Sequence, residues 1–168
     1  KDQQTMQLNI IAAVAKNRAI GYQNDMVYFI REDLKRFKQL TTGHTVIMGR
    51  RTFYSLPKGA LPNRRNIVLS RTETDFPGCD VYKSLDEALQ HIGADEQAFI
   101  IGGASLYKEA LTVADCLYLT EIAAVPPHAD VFFPAYDDGT WKVESREERP
   151  ATDDNPAYAF VDYVRKDA

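Results

Sequence analysis

The stretch AFIIGGASLY, residues 98–107, carries three signals in a row. Ala98–Ile101 is a short, unbroken apolar run, the pattern of a strand buried on both faces. Gly102 and Gly103 break that run. Ala104–Leu111 then has the make-up of a helix. Other segments repeat this order. Leu8–Ala15 (LNIIAAVA) is almost wholly apolar and reads as a central strand. Thr45–Met48 (TVIM) is closed by Gly49 and followed by a short helix over Arg50–Leu56, stopped by Pro57. Asn66–Ser70 (NIVLS) and Asp80–Tyr82 read as strands. Ser84 is a good N-cap with Glu87 three residues on, a capping-box pattern for a helix to about His91.

Glu32 to Leu40 places Leu34, Phe37 and Leu40 at helical spacing among Arg36, Lys38 and Gln39. This predicts an amphipathic helix, ended by Gly43. Asn17 to Asp25, with Gly21 and Asn24, is rich in turn formers and reads as a surface loop. Cys116–Ile122 is a further strand. The runs around Trp141–Arg149 and Ala157–Arg165 have no helix between them and predict an antiparallel pair. The expected architecture is a single α/β domain: a central, mostly parallel sheet of about eight strands, flanking helices and an antiparallel C-terminal strand hairpin. Ligands of such sheets bind beyond the carboxyl ends of the strands. That singles out residues 16–34, 49–52, 70–71 and 102–107.

Nothing divides the 168 residues into two domains. The polar segment 1–5 (KDQQT) reads as an N-terminal extension, and 6–168 as the domain. A net charge of −4 argues against a nucleic-acid binder while allowing a local basic pocket. Cys79 and Cys116 have no CxxC pattern and no nearby histidine, which argues against a disulfide framework and a zinc site and fits a reducing cytoplasm. His44, His91 and His128 lack partners at ligand spacing, so no metal is expected. No apolar run approaches the roughly 20 residues that span a bilayer, and no signal peptide is visible.

Four groups of residues carry candidate chemistry. Asp33 has two readings. As a residue of a helix's first turn it is favoured by the macrodipole, as Glu32 is. Alternatively it shares with Leu34 and Phe37 a face turned to an apolar cleft. Lost hydration would then raise its pKa. It would bind the edge of a cationic or amidine-like heterocycle and assist proton delivery. Gly102-Gly103 is either a tight strand-to-helix turn or a place where backbone approaches a phosphate. The run GGASLY lacks a full GxGxxG fingerprint. Gly49-Arg50-Arg51-Thr52 and Ser70-Arg71 each follow a strand. Singly they read as solvated surface; together, at equivalent strand ends, they read as a site for nucleotide phosphates. This much arginine favours a 2′-phosphate, hence NADP over NAD. Leu61-Pro62-Asn63-Arg64-Arg65-Asn66 is an ordinary basic loop, or one whose arginine forks onto a substrate carboxylate.

Six pieces, taken in order and spacing, resemble the dihydrofolate reductase family, in its bacterial chromosomal type. They are IIAAVAKNRAIG (10–21), EDLKRFK (32–38), VIMGRRTF (46–53), LPNRRNIVLS (61–70), AFIIGGASLY (98–107) and LYLTEI (117–122). The resemblance runs from about Leu8 to Arg165. It implies reduction of 7,8-dihydrofolate to tetrahydrofolate by hydride transfer from NADPH, supplying one-carbon metabolism and thymidylate synthesis. It also implies a cytoplasmic monomer that binds dihydrofolate and antifolate inhibitors.

The resemblance further assigns roles. Asp33 corresponds to the carboxylate that binds the pterin N3 and 2-amino edge, and Thr120 to the threonine supporting it. Ile11, Ala12 and Ile101 correspond to backbone contacts and walls of the pterin pocket. Leu34, Phe37, Ser55, Leu56 and Leu61 correspond to walls around the pterin and aminobenzoyl rings. Arg64 corresponds to the partner of the folate α-carboxylate. Ala13, Ile20 and Gly21 fall on the nicotinamide side. Gly49, Arg50, Arg51, Thr52, Leu69, Ser70, Arg71 and Lys83 fall at or near the pyrophosphate, adenine and 2′-phosphate sites. Gly102-Gly103 corresponds to an unusual cis Gly–Gly bond. Ile101, Gly103, Ala104, Ser105, Leu106 and Tyr107 line the cofactor, with Tyr107 also on the substrate side.

The chain departs from the family where the flexible loop usually reads Met-Pro-Trp, then Leu-Pro. Here it reads Met26-Val27-Tyr28-Phe29-Ile30-Arg31. Tyr28 stands where the tryptophan usually holds a water, and its hydroxyl is a polar handle in place of the indole N–H. It therefore joins Asp33 as a catalytic candidate. Losing both prolines frees the loop backbone of the unfolded chain, and Arg31 adds charge at the site mouth. Asn63 takes a place that is often Gly, which an αL turn tolerates. Two rival readings are set against this one. The related reductase of riboflavin synthesis would need neither Asp33 with Leu34 and Phe37 nor Arg64. The other rival is a non-catalytic NADPH- or folate-binding protein.

Overall fold

The structure is a computed structural model and describes residues 6–167; the expected extension at 1–5 lies outside the described residues. In chain order the strands and helices are β1 (Gln7–Val14), β2 (Ala19–Tyr22), β3 (Asp25–Met26), α1 (Arg31–Thr41), β4 (Thr45–Gly49), α2 (Arg50–Ser55), β5 (Arg65–Leu69), β6 (Cys79–Tyr82), α3 (Leu85–Leu89), β7 (Gln97–Gly102), α4 (Ala104–Ala110), β8 (Cys116–Ile122), β9 (Val131–Phe132), β10 (Trp141–Arg149) and β11 (Tyr158–Arg165). The main sheet has eight strands in the order β10-β11-β8-β1-β7-β4-β5-β6. The strands from β8 to β6 are parallel, while β11 runs antiparallel to β8, and β10 to β11. This is the α/β architecture that the apolar runs predict.

Those runs are unbroken because both faces of the parallel strands are covered. Val46, Ile47 and Met48 are each 0% exposed. Successive side chains point to opposite faces, so one core forms on each side. Ile10, Ile47, Ile67 and Ile100 meet on one face. Ile11, Val46, Val68 and Phe99 meet on the other. On that second face Phe37 and Leu40 of α1 pack, which explains the spacing of the apolar residues in that helix.

The helix ends follow local chemistry. Gly43, just past α1, has φ +85°, a conformation a side chain would strain. Ser84 Oγ accepts from Glu87 N at 3.1 Å, as a capping box requires. The Glu87 carboxylate, however, reaches one residue further back and accepts from Lys83 N at 2.8 Å. Helix α3 stops at Leu89, short of the expected His91.

The segment 17–25 is not a plain loop. β2 and β3 form a hairpin in which Tyr22 pairs with Asp25, and β9 pairs with β2 on the other side. Gln23 and Asn24 have φ +50° and +65°, the two positive values of a type I′ turn. Phe133 N donates to Arg18 O at 2.8 Å, and Arg18 Nη1 donates to Phe133 O at 2.7 Å. The hairpin is thus tied to the chain after β9. Its strands, of four and two residues, are too short to show a period-two pattern in sequence.

Candidate active site

Asp33 lies in the first turn of α1, whose N-cap residue Ile30 offers no side-chain cap. Its Oδ1 accepts a hydrogen bond from Thr120 Oγ1. Thr120 is 2% exposed, on β8 opposite Ala13 of β1. Burial raises the Asp33 pKa above the usual carboxylate range; the Thr120 hydrogen bond and the nearby Arg36 charge pull the other way. Arg36 is itself held by Asp162 at 2.6 Å and lies 4.7 Å from the centre of the Phe160 ring. Tyr107 of α4 closes the group. Its hydroxyl donates to Ile11 O at 3.0 Å, and the phenol is pushed far above its ordinary pKa by burial and then by the Asp33 charge. So Asp33 is more than a helix-start carboxylate: it is desolvated, hydrogen-bonded and grouped with Tyr107.

The apolar wall forms beside it. Phe37, Leu56, Leu61 and Ile101 all border the cluster that contains Ile11. Ser55 is the last residue of α2, and its hydroxyl donates to Thr52 O at 2.6 Å. Arg64 sits on the loop before β5, where Asn63 has φ +61°. Its Nε donates to Pro62 O at 2.8 Å and its Nη1 to Thr41 Oγ1 at 3.1 Å. No carboxylate among the described residues pairs with it, and burial lowers its pKa. It is a half-buried cation whose remaining donors can take an anion.

Asn66 was not singled out in the sequence as a site residue, yet it shapes this loop. It is 3% exposed. Its Oδ1 accepts from Leu61 N at 2.9 Å, and its Nδ2 donates to Leu61 O and Arg64 O at 2.9 and 3.0 Å. Its signal is an amide at the head of an apolar run, where a buried polar group needs partners.

Beyond β7 the site changes character. In register, Met48 faces Gly102, Gly49 faces Leu69, and Leu69 faces Tyr82. The strand ends that carry Gly102-Gly103, Arg50-Arg51-Thr52, Ser70-Arg71 and Lys83 therefore lie side by side. The Gly102–Gly103 bond is cis, as the resemblance implies. A Cβ on Gly102 would come within 2.9 Å of Thr52 Oγ1, so only glycine fits there. Arg50, Arg51, Arg71 and Lys83 are all exposed. Glu73, also not foreseen, reaches into this group: its Oε1 accepts from Arg50 Nη1 at 2.7 Å. Ala13 lies on β1 opposite Thr120, and Ile20 and Gly21 lie on β2 of the smaller sheet.

Tyr28 packs beside Ile30, Ile122 and Tyr158, and no hydrogen bond of its hydroxyl is found among the described residues. The described residues contain no group of histidines, cysteines and carboxylates able to hold a metal.

An acid kept out of water beside an apolar wall suits a heterocyclic substrate. Cations and hydroxyls at the strand ends across β7 suit a nucleotide. Fold and site thus define a nucleotide-dependent α/β enzyme. Residues 7–165 match the family model for dihydrofolate reductase, and the chain belongs to that family. It is 40% identical to the dihydrofolate reductase of Bacillus subtilis (strain 168), over 96% of each chain. It is 44% identical to the dihydrofolate reductase type 3 of Salmonella typhimurium, over 96% of this chain and 99% of that protein. Among solved structures it is similar to Enterococcus faecalis dihydrofolate reductase complexed with NADP(H) and RAB-propyl. The TM-score is 0.87 at 30% identity, over 95% of this chain and 96% of that one. The reaction is accordingly the reduction of 7,8-dihydrofolate to tetrahydrofolate with NADPH.

Proposed function

We propose that this chain carries out the reaction with Asp33 as its acid–base centre, and the observation that carries the reading is the part-buried Asp33–Thr120 pair. Asp33 holds the pterin N3 and 2-amino edge, with Thr120 fixing the carboxylate. Its negative charge, in an apolar surround, favours a proton at N5. Ile11, Ala12, Leu34, Phe37, Ser55, Leu56, Leu61 and Ile101 line the substrate cleft. Arg64 takes the glutamyl α-carboxylate with the donors it does not spend on Pro62 and Thr41. Tyr28 holds the water that passes a proton toward N5.

The residues present fit NADPH. Gly102 leaves a space that a side chain would fill, and Arg50, Arg51, Arg71, Ser70, Thr52 and Lys83 supply cations and hydroxyls for its phosphates. Gly49, Leu69, Gly103, Ala104, Ser105, Leu106 and Tyr107 complete that side, with Ala13, Ile20 and Gly21 toward the nicotinamide. Bound NADPH supplies the hydride. The protein contributes position, a dry cleft and charge. The same reading makes the protein a cytoplasmic monomer that antifolate inhibitors bind. No helix of the described residues is long and apolar enough to cross a membrane.

The test is NADPH oxidation with and without dihydrofolate, for the parent chain and for Asp33→Asn. Dihydrofolate-dependent oxidation that Asp33→Asn largely abolishes is the expected result. Cofactor binding without turnover would favour a non-catalytic binding protein instead. Light scattering checks the monomer.

A further inference from the structure

Glu73 engages two members of the basic strand-end group at once. Its Oε1 accepts from Arg50 Nη1 at 2.7 Å, and its backbone N–H donates to Ser70 Oγ at 3.1 Å. Its other oxygen, Oε2, accepts from Tyr54 OH at 2.5 Å. Tyr54 lies one turn after Arg50 on α2 and packs edge-on against the buried Phe53. Glu73 is therefore held from both sides. The Arg50–Glu73 pair is about half exposed, at 49% and 42%, and is open to exchange with an anion from solvent.

We propose that Glu73 is a specificity-determining residue: an internal carboxylate that competes with the cofactor's 2′-phosphate for Arg50. This rests on assigning Arg50 to the cofactor phosphates. A phosphate monoester brings about −1.5 to −2 charges and three acceptor oxygens, against one charge for the carboxylate. The monoester therefore displaces Glu73 from Arg50. A cofactor with a plain 2′-hydroxyl does not displace it, and donates that hydroxyl to the carboxylate as in acid-bearing NAD sites. Glu73 thus narrows the preference for NADPH over NADH. Tyr54 is a positioning residue, because it acts only by holding Glu73. The neighbouring cations Arg51 and Arg71 have no such competitor among the described residues.

The experiment is fluorescence titration of NADPH and NADH into the parent protein and into Glu73→Gln, Tyr54→Phe, Arg50→Ala and the Arg50→Ala/Glu73→Gln double variant. Glu73→Gln is expected to tighten NADPH by about 3- to 5-fold, the scale of a half-exposed ion pair. NADH should stay unchanged or weaken. Tyr54→Phe should move NADPH the same way by less, and the Glu73→Gln gain should vanish in the Arg50→Ala background. If Glu73→Gln leaves NADPH binding unchanged or weakens it while Arg50→Ala alone weakens it, the proposal is overturned and the phosphate assignment stands. A gain that survives in the Arg50→Ala background overturns it too, since it would come from general charge. If Arg50→Ala leaves NADPH affinity untouched, the phosphate assignment itself fails and the proposal falls with it.

Discussion

The two halves of the site, on either side of β7, use charge in opposite ways. On the β1–β8 side one carboxylate, Asp33, is largely removed from water and answered by one hydroxyl, Thr120, with Tyr107 close by. Toward β6, Arg50, Arg51, Arg71 and Lys83 all stand in solvent. Water screens exposed charges, so each there is worth little. In the buried half, desolvation makes a single group decisive. On the proposed assignment, catalytic leverage lies with one residue, whereas cofactor affinity is a sum over several.

The strongest way to break this contrast is at Asp33. Asp33→Asn should lower the hydride-transfer rate by roughly 10²-fold or more at neutral pH, the scale of lost acid–base assistance. NADPH binding should be nearly unchanged. Single-turnover kinetics reads the first and titration the second. Stability should move the other way. A carboxyl whose folded pKa lies above its unfolded value favours folding below the unfolded pKa, about 3.9, and loses that advantage as pH rises through the folded pKa. Asp33→Asn should therefore raise the Tm at pH 7, and the gain should shrink as the pH falls toward 4. A variant equally fast, or less stable at neutral pH, would remove the contrast.

Thr120→Val sharpens it. The hydroxyl stabilises the ionised form, so its loss should raise the Asp33 pKa further and move the ascending limb of the pH–rate profile, where Asp33 ionises, to higher pH. The expected loss of substrate affinity is about 10-fold, for one charge-assisted hydrogen bond of about 1.5 kcal/mol. An unmoved profile would leave Thr120 as packing only. At the rim of the same half, Arg64→Lys should weaken dihydrofolate binding by about 10-fold, because lysine cannot make the forked contact. A pterin without the glutamyl tail should bind both forms alike. Equal losses for both ligands would mean that Arg64 serves the loop it shares with Asn66. Smaller again is Tyr28→Phe, with a hydride rate about 5-fold lower for one lost hydrogen bond of about 1 kcal/mol. An unchanged rate would assign Tyr28 to packing beside Ile30.

The sequence makes the buried half easier to read than the exposed one, for a physical reason. Strands covered on both faces leave unbroken runs such as TVIM and AFII, and an acid next to Leu34 and Phe37 stands out against them. The hairpin at Ala19–Met26 leaves no such trace, because two- and four-residue strands are too short to show an apolar period. Glu73 is hidden for a related reason. It lies in SRTETD, a polar stretch like any loop, and its partner Arg50 is 23 residues away. Nothing local marks a surface ion pair that only the β4–β5 register brings together. Asn66 was legible in principle, as a polar residue opening a buried strand. Its bonds to Leu61 and Arg64 required the loop's course.

The smallest effect tests the exposed half most directly. Arg71 follows β5, is exposed, and has no carboxylate partner among the described residues. If cofactor affinity is a sum of screened terms, Arg71→Ala should weaken NADPH by only about 2- to 5-fold, since an exposed pair contributes about 0.2–1 kcal/mol. The loss should fall further as salt is raised, because the Debye length shrinks from about 10 Å at 0.1 M to about 3 Å at 1 M. NADH should be affected less if Arg71 faces the 2′-phosphate. Combining Arg71→Ala with Arg51→Ala should give near-additive losses, as expected of side chains that share no partner. A loss of about 100-fold from Arg71→Ala alone, insensitive to salt, would show a desolvated phosphate contact there. Charge would then act the same way on both sides of β7, and the contrast between the halves would be one of burial in the free protein only.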